Sequence, residues 1–286
     1  MKYLSLLLFL TLGAHASIKI STFNIRNFDK SGSQTNKSLL KSIILEVGPD
    51  LMAVQEIHNE RSFKEFTKSS LKGYGLILSR CGGGGRQKLG FLFKKSKLKL
   101  ISSREDTRVS NAFLGSCDSL RPAMVSIFEE NSSKRFAAIS VHLKAGSGSR
   151  NYARRATQYD GIADIIRELN NKGLKRVVAL GDFNTTGFDL RDNDYKNFIE
   201  LLHDTSSSTS AHDISCTSYW RGRDYSDGIE EASTLDHIVY TNSFGKPQDI
   251  SVGSHCKKAK CKDTKYYELG ESYRSVSDHC PVSAIF

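Results

Sequence analysis

The sequence predicts an α/β protein on two observations. Apolar segments of strand length alternate with segments of helical periodicity, and a complete strand-helix-strand order occurs twice. In the first unit, residues 18–25 alternate as a strand. Leu39, Leu40, Ile43, Ile44 and Val47 then repeat at helical spacing until Gly48-Pro49 stops the helix, and 51–54 reads as the next strand. The second unit has a strand at 136–143, a helix over 153–169 and a strand at 176–180 ending at Gly181. That helix turns Ala156, Ile162, Ile165, Ile166 and Leu169 inward. Shorter strands are expected at 74–79, 90–93, 98–101, 123–128, 235–240 and 282–286. The glycine run 82–85 lacks the Lys-Ser/Thr ending of a phosphate-cradling loop and reads as a turn, and polar residues 204–211 read as a loop. No fixed-period repeat or linker interrupts the pattern, so residues 17–286 are expected to form one domain.

The composition fits that class. The chain has 286 residues, 38% hydrophobic and 25% charged, enough to build a core and too apolar for a solvated tail. Four prolines and 22 glycines exclude a collagen-like chain. Lys and Arg number 41 against 31 Asp and Glu, a formal charge of +10 that favours polyanionic partners without identifying one.

The first residues read as an export signal. Lys2 precedes an apolar run from Leu4 to Leu12, then Gly13 and Ala14-His15-Ala16, the small-residue pattern cleaved after Ala16. The run is well short of the roughly 20 residues that span a bilayer. Removal of Lys2 leaves 40 basic residues against 31 acidic ones, about +9. A secreted or periplasmic address follows. The six cysteines, Cys81, Cys117, Cys216, Cys256, Cys261 and Cys280, then imply up to three disulfides among fifteen pairings. The Cys256/Cys261 spacing suits a small closed loop, and with no second Cys/His pair at finger spacing it does not suit a zinc site.

The informative residues stand where strands stop. Asn24 ends the first strand and Glu56 the second; His142 follows Ile139-Ser140-Val141, and Asp182 and Asn184 follow Gly181. Asp236-His237 and Asp278-His279 occupy corresponding places near later strands. Each has a plain structural reading, as a solvated Glu, a packed His or an Asp turn cap. Central strand ends converge on one face in α/β proteins, so the set together points to a metal-assisted acid/base site. A single Glu suffices as the main protein ligand of a hard ion that otherwise takes water and phosphate oxygens.

In order, Thr22-Phe23-Asn24, Gln55-Glu56, Val141-His142-Leu143, Gly181-Asp182-Phe183-Asn184, Leu235-Asp236-His237 and Ser277-Asp278-His279 resemble the endonuclease/exonuclease/phosphatase superfamily, which includes pancreatic-type deoxyribonuclease. The resemblance implies a four-layer αββα sandwich, two packed mixed β-sheets flanked by helices, and metal-dependent hydrolysis of phosphate esters. It implies that Glu56 holds Mg2+, with Mn2+ or Ca2+ as substitutes, and that Asn24 and Asp278 lie near the ion. Asp236 is implied to orient His279 as general base on water, with Asp182 and Asn184 against the phosphate and nucleophile and His142 bonded to the phosphate. Arg121 matches a position where related nucleases present arginine to phosphate. One departure is visible. Pancreatic-type enzymes carry a second acidic residue near the strand around Leu78, paired with a histidine, whereas here the segment is Leu78-Ser79-Arg80-Cys81, which leaves the leaving-group acid open.

Substrate class rests on other features. Export and positive charge suit DNA, with RNA as a further substrate. Arg80, Arg86 and Lys88 surround the glycine run, and Lys144, Arg150, Arg154 and Arg155 follow His142, with Arg154 and Arg155 read as phosphate contacts. Tyr219-Trp220-Arg221-Gly222-Arg223 interleaves aromatics with arginines, although a sole Trp is usually core. Lys257, Lys258, Lys260 and Lys262 form another basic cluster. The competing reading, a secreted sphingomyelinase-type phospholipase, needs an exposed apolar loop, for which Tyr266-Tyr267 is the sole candidate. A non-catalytic binding module would not require the full acid/base set. The expected protein is a monomeric, sequence-tolerant secreted nuclease without stable membrane association.

Overall fold

Period-two alternation sorts the strand residues onto two faces, and the two faces bury different partners. The computed structural model describes residues 17–110, 117–188, 190–222, 224 and 226–286; the export signal read over residues 1–16 and Arg223 of the aromatic-arginine run lie outside them. In chain order the strands are β1 (Lys19–Phe28), β2 (Leu51–Ile57), β3 (Tyr74–Leu78), β4 (Lys88–Lys94), β5 (Leu98–Asp106), β6 (Ala123–Glu130), β7 (Arg135–His142), β8 (Val177–Asp182), β9 (Ser207–Thr209), β10 (Ser218–Trp220), β11 (Ile229–Ser233), β12 (Asp236–Thr241), β13 (Asp249–Val252), β14 (Thr264–Lys265) and β15 (Val282–Ile285). The helices are α1 (Lys37–Val47), α2 (Glu60–Ser70), α3 (Ser149–Asn171), α4 (Asn193–Asp204), α5 (Ser254–Ala259) and α6 (Gly270–Ser275).

Two six-stranded sheets form, in the orders β13-β15-β1-β2-β4-β3 and β5-β6-β7-β8-β12-β9. Both are mixed, because β1 pairs parallel with β2 and β7 with β8 while their neighbours run antiparallel. Leu51 and Ala53 of β2 join Val178 and Leu180 of β8 in a core between the sheets. Met52 and Val54 pack outward with Leu40, Ile43 and Ile44 of α1 and Phe63 and Phe66 of α2. Val177 and Ala179 pack outward with Ile162, Ile165 and Ile166 of α3 and Phe198 and Leu201 of α4. The result is the four-layer αββα sandwich expected from the resemblance.

Differences from the sequence reading fall at edges. Residues 204–211 are not all loop: β9 pairs with β12, Thr209 opposite Val239, because a sheet edge supplies backbone partners that serine propensity does not advertise. Strand β5 runs to Asp106, its polar outer face hiding it from a hydrophobicity pattern.

The cysteines pair as Cys81–Cys117, Cys216–Cys261 and Cys256–Cys280. Cys256 and Cys261 therefore do not close a small loop on each other. They staple a lobe of α5, α6 and the three-stranded sheet β10-β11-β14, whose core is Cys216, Tyr219, Cys256, Leu269, Tyr273 and Cys280. Among the described residues, no helix is long and apolar enough to cross a membrane.

Candidate active site

Register assembles one half of the site. His142 of β7 is the partner of Asp182 in β8, and Asp182 is the partner of Asp236 in β12, so the three side chains stand in a row on the face turned toward the other sheet. Gly181 permits this approach: its φ is +144°, and a Cβ there would meet the Val141 carbonyl oxygen at 2.0 Å.

The other half comes from β1 and β2. Gln55, in phase with Leu51 and Ala53, reaches across to the Ser140 hydroxyl at 3.4 Å. By alternation Glu56 would then point at the outer helices. Instead the register slips between Val54 and Ile57, and Glu56 takes a left-handed φ of +63°, which re-aims its carboxylate into the inter-sheet mouth. Asn24 Nδ2 donates to Glu56 Oε1 (3.2 Å) and to Asp182 Oδ2 (3.0 Å), tying the sheets together, while its Oδ1 accepts from Arg26 N (3.0 Å). Asn27 N donates to Glu56 Oε2 (2.8 Å).

His279 arrives from the segment before β15. Its backbone N–H donates to Ser277 Oγ (3.1 Å), and Ser277 Oγ donates to the Asn24 carbonyl (2.6 Å). Its Nδ1–H donates to Asp236 Oδ2 (2.7 Å), leaving Nε2 at 3.7 Å from Asp182 Oδ2. His142 Nε2 lies 3.4 Å from Asp182 Oδ2 and 3.7 Å from Glu56 Oε1. The opposite ring nitrogen, His142 Nδ1, is buried and without a hydrogen-bond partner among the described residues. The glutamate nearest that segment, Glu105, accepts from Cys81 N (2.9 Å).

Environment separates the two imidazoles. Burial opposes the charge on His279, but the Asp236 and Asp182 carboxylates overcome it and hold the ring's pKa well above its ordinary value. Burial, reinforced by Arg121 and His279, pushes His142 well below it, so that ring is neutral. Asp182 is pushed up to about 7 by burial, with the Asp236 and Glu56 charges adding and His279 opposing.

Ligand atoms of Glu56, His142 and Asp182 lie within 4.8 Å of one another, as do those of Asp182, Asp236 and His279. Two of the three donors in each group are carboxylate oxygens, the ligand type that hard divalent cations take. A third group, His255, Cys256 and Cys280, does not fit a metal, because its cysteines are joined in a disulfide.

The remaining expected residues fall in distinct places. Asn184, at a left-handed φ of +51°, donates its N–H to Asp182 Oδ1 (2.9 Å) and its side chain to the Leu143 carbonyl (3.3 Å). Asp278 joins neither carboxylate-imidazole group; its Oδ1 lies 3.9 Å from Arg26 Nε. Arg121 donates to the carbonyls of His142 (2.9 Å) and Leu143 (3.0 Å) and to Gln87 Oε1 (2.7 Å). Arg154 is exposed on α3.

Arg155 corrects the reading of it as a phosphate contact. It is 0% exposed, pairs with Asp194 of α4 through Nε and Nη2 (2.9 and 2.7 Å), and donates to the carbonyls of Lys144 and Gly146 and to Thr186 Oγ1. Helical spacing turns residue 155 inward while 154 faces solvent, and the pattern of buried positions around Ile162 and Ile166 carried that signal. Within the aromatic-arginine run, Tyr219 is core and Trp220 is exposed. Sequence reasoning passed over Asn27 and Gln87, which continue the network: Gln87 Nε2 and His58 Nε2 both meet Asn27 Oδ1, at 3.1 and 2.9 Å.

Carboxylates and imidazoles gathered at the open end of a four-layer sandwich define a phosphoesterase-type fold and site. The Endonuclease/Exonuclease/phosphatase family profile matches residues 21–279, and the chain belongs to that family. No curated protein matches the sequence. Similar solved structures include D. rerio TDP2 complexed with a single-strand DNA product (15% identity, 94% of this chain and 98% of that one, TM-score 0.67). The human Nocturnin catalytic domain with a bound sulfate anion is similar (17%, 94% and 93%, TM-score 0.64). So is the 3′ phosphatase NExo from Neisseria bound to a product DNA hairpin (13%, 93% and 98%, TM-score 0.64). At these identities the likeness is one of fold. Members of the superfamily are phosphodiesterases and phosphatases, generally dependent on a divalent metal.

Proposed function

We propose that this protein is an exported, divalent-metal-dependent nuclease that hydrolyses phosphodiester bonds of DNA, and of RNA as a further substrate, with little sequence preference. It acts from one catalytic domain spanning 17–286, after removal of the signal at 1–16. The observation that carries the reading is the joined constellation of Asn24, Glu56, His142, Asp182, Asp236 and His279 across both sheets.

Glu56 and Asp182 would hold Mg2+, or Mn2+ or Ca2+ in its place, and Asn24 would keep those two carboxylates together. A bound divalent ion supplies positive charge against a phosphate oxygen and offsets the surplus carboxylate charge. Asp236 fixes the ring of His279, so that Nε2 faces the mouth; the positive charge of a bound divalent ion would oppose the charge on the ring and leave Nε2 free to take the proton of the attacking water. Asn184 and the neutral His142 contact the phosphate, and Arg121 holds His142 through its backbone while adding positive charge beside it.

The expected mature charge of about +9 suits a polyanionic nucleic acid better than a lipid, and two structural relatives were determined with DNA products, one of them a 3′ phosphatase. Three disulfides suit an oxidising compartment. The decisive experiment is plasmid nicking by residues 17–286 with Mg2+ or EDTA, beside RNA and sphingomyelin. Nicking that EDTA abolishes is expected. Intact plasmid with hydrolysed sphingomyelin overturns the reading in favour of the phospholipase. Cleavage should also weaken steeply with salt, as for any ligand held by phosphate contacts.

A further inference from the structure

The disulfide-stapled lobe carries features that the chemistry above leaves unused. Among the described residues, the exposed large aromatics are Trp220, Tyr266 and Tyr267, and all three belong to this lobe. Tyr267 is 64% exposed and Tyr266 48%. The Tyr266 ring stands edge-on to Tyr273 at 5.6 Å, and Tyr273 is itself fixed by its hydroxyl donating to Glu230 Oε2 (2.7 Å). The Tyr267 carbonyl accepts from Arg274 Nη1 (3.3 Å), and the Lys265 ammonium lies 6.0 Å from the centre of the Tyr267 ring.

Cations and carboxylates alternate around the pair. Lys262 and Lys265 are exposed and have no carboxylate partner among the described residues. Of the neighbouring acids, Glu271 pairs with Arg274 (3.2 Å), while Asp263 accepts from Ala232 N (2.9 Å) and Glu268 from the Thr264 hydroxyl, which turns these two carboxylates toward the lobe's own backbone and side chains.

This surface is tied to the active site by a short run of contacts. Asn24 Oδ1 accepts from Arg26 N, Arg26 Nη2 donates to the Arg274 carbonyl (2.9 Å), and Arg274 holds Tyr267. On the other side, Tyr219 N donates to the Asp278 carbonyl (2.9 Å), and Cys256 is bonded to Cys280, next to His279.

The geometry points to a stacking platform, Tyr266 and Tyr267 flanked by Lys262 and Lys265, that binds the bases and phosphates of a single-stranded stretch running out of the active site. The inference rests on the nuclease reading and adds to it a preference for substrates with unstacked bases beside the cleaved bond. Exposed aromatic rings accept any base on their faces, and lysines without an ion-pair partner beside them take the adjoining phosphates. A bilayer is the poorer partner. The flanks of the pair are Lys265 and Glu268, and the exposed large aliphatics Leu45, Ile101 and Leu190 lie elsewhere in the chain.

The test compares hydrolysis of a single-stranded 30-nucleotide DNA and of bis(4-nitrophenyl) phosphate, which is too small to reach the platform, by the full mature chain with Mg2+. The Tyr266→Ser/Tyr267→Ser variant should raise KM for the oligonucleotide about tenfold and leave the small ester unchanged, while Tyr266→Phe/Tyr267→Phe keeps the wild-type KM. Lys265→Gln should reduce the salt slope of oligonucleotide binding by about 1. Unchanged oligonucleotide kinetics in the Ser variant overturn the platform while leaving the nuclease reading intact. Wild-type protein that hydrolyses the small ester and no polynucleotide overturns the nuclease reading itself. Loss of binding to anionic phosphatidylserine vesicles in the Ser variant, with oligonucleotide KM unmoved, assigns the surface to a membrane and overturns the proposal.

Discussion

Two buried ion pairs of similar appearance have different consequences. The His279–Asp236 pair ends in a ring nitrogen that opens on the mouth, so its removal should reach the chemistry first. His279→Ala is expected to lower the cleavage rate by about 10²- to 10⁴-fold with the fold retained, measured by nicking rate beside circular dichroism. Near-normal activity in the folded variant would remove His279 from the mechanism. The Arg155–Asp194 pair has every nitrogen engaged inside the protein, so its removal should reach stability first. Arg155→Met leaves Asp194 buried without its partner and should cost about 3–5 kcal/mol in urea unfolding. Because no phosphate contact is lost, the salt slope of DNA cleavage should stay at the wild-type value; a shallower slope would return Arg155 to the substrate surface.

At the scale of elements, the site depends on segments held where ordinary strand geometry would not put them. The bulge at Glu56 aims its carboxylate into the mouth, where Asn27 N donates to it, and the left-handed turn at Asn184 is closed by its own N–H donating to Asp182 Oδ1 and its side chain donating to the Leu143 carbonyl. The segment carrying His279 is fixed differently. Cys280 is bonded to Cys256 and its N–H donates to the Thr217 carbonyl (2.7 Å), so the stapled lobe positions His279. Replacing both cysteines, Cys256→Ser with Cys280→Ser, is expected to cost about 2–4 kcal/mol of stability. Activity should fall at temperatures where the sandwich is still folded. A thermal melt read beside residual nicking checks this, and an activity loss that coincides with global unfolding would deny the lobe its positioning role.

For the whole molecule, acid stability follows from a buried imidazole. His237 is caged by Phe183, Phe188 and Phe198, with ring centroids at 5.3, 5.2 and 4.5 Å, and burial lowers its pKa to about 3. The unfolded chain takes up a proton near pH 6.5 that the folded chain refuses, so stability is full above that pH and declines as pH falls toward 3. The loss approaches about 1.4 kcal/mol per pH unit. Urea unfolding at pH 7.5, 5.5 and 4.5 should therefore show wild-type protein losing more stability than His237→Phe. Parallel losses would place the acid sensitivity in other groups.

The sequence by itself determined the α/β class, both strand-helix-strand units and the family, because these rest on periodicity and on short polar motifs that survive without knowledge of contacts. The residues at strand ends were legible for the same reason. The tertiary structure alone decided how Glu56 reaches the mouth against its alternation, which cysteines pair, that Arg155 is an internal strut, and that Asn27 and Gln87 belong to the network. It also decided that Tyr219 is core while its neighbour Trp220 is exposed. Each of these depends on register, a bulge or a contact across many residues of chain, and such long-range geometry leaves no periodic trace in the local sequence.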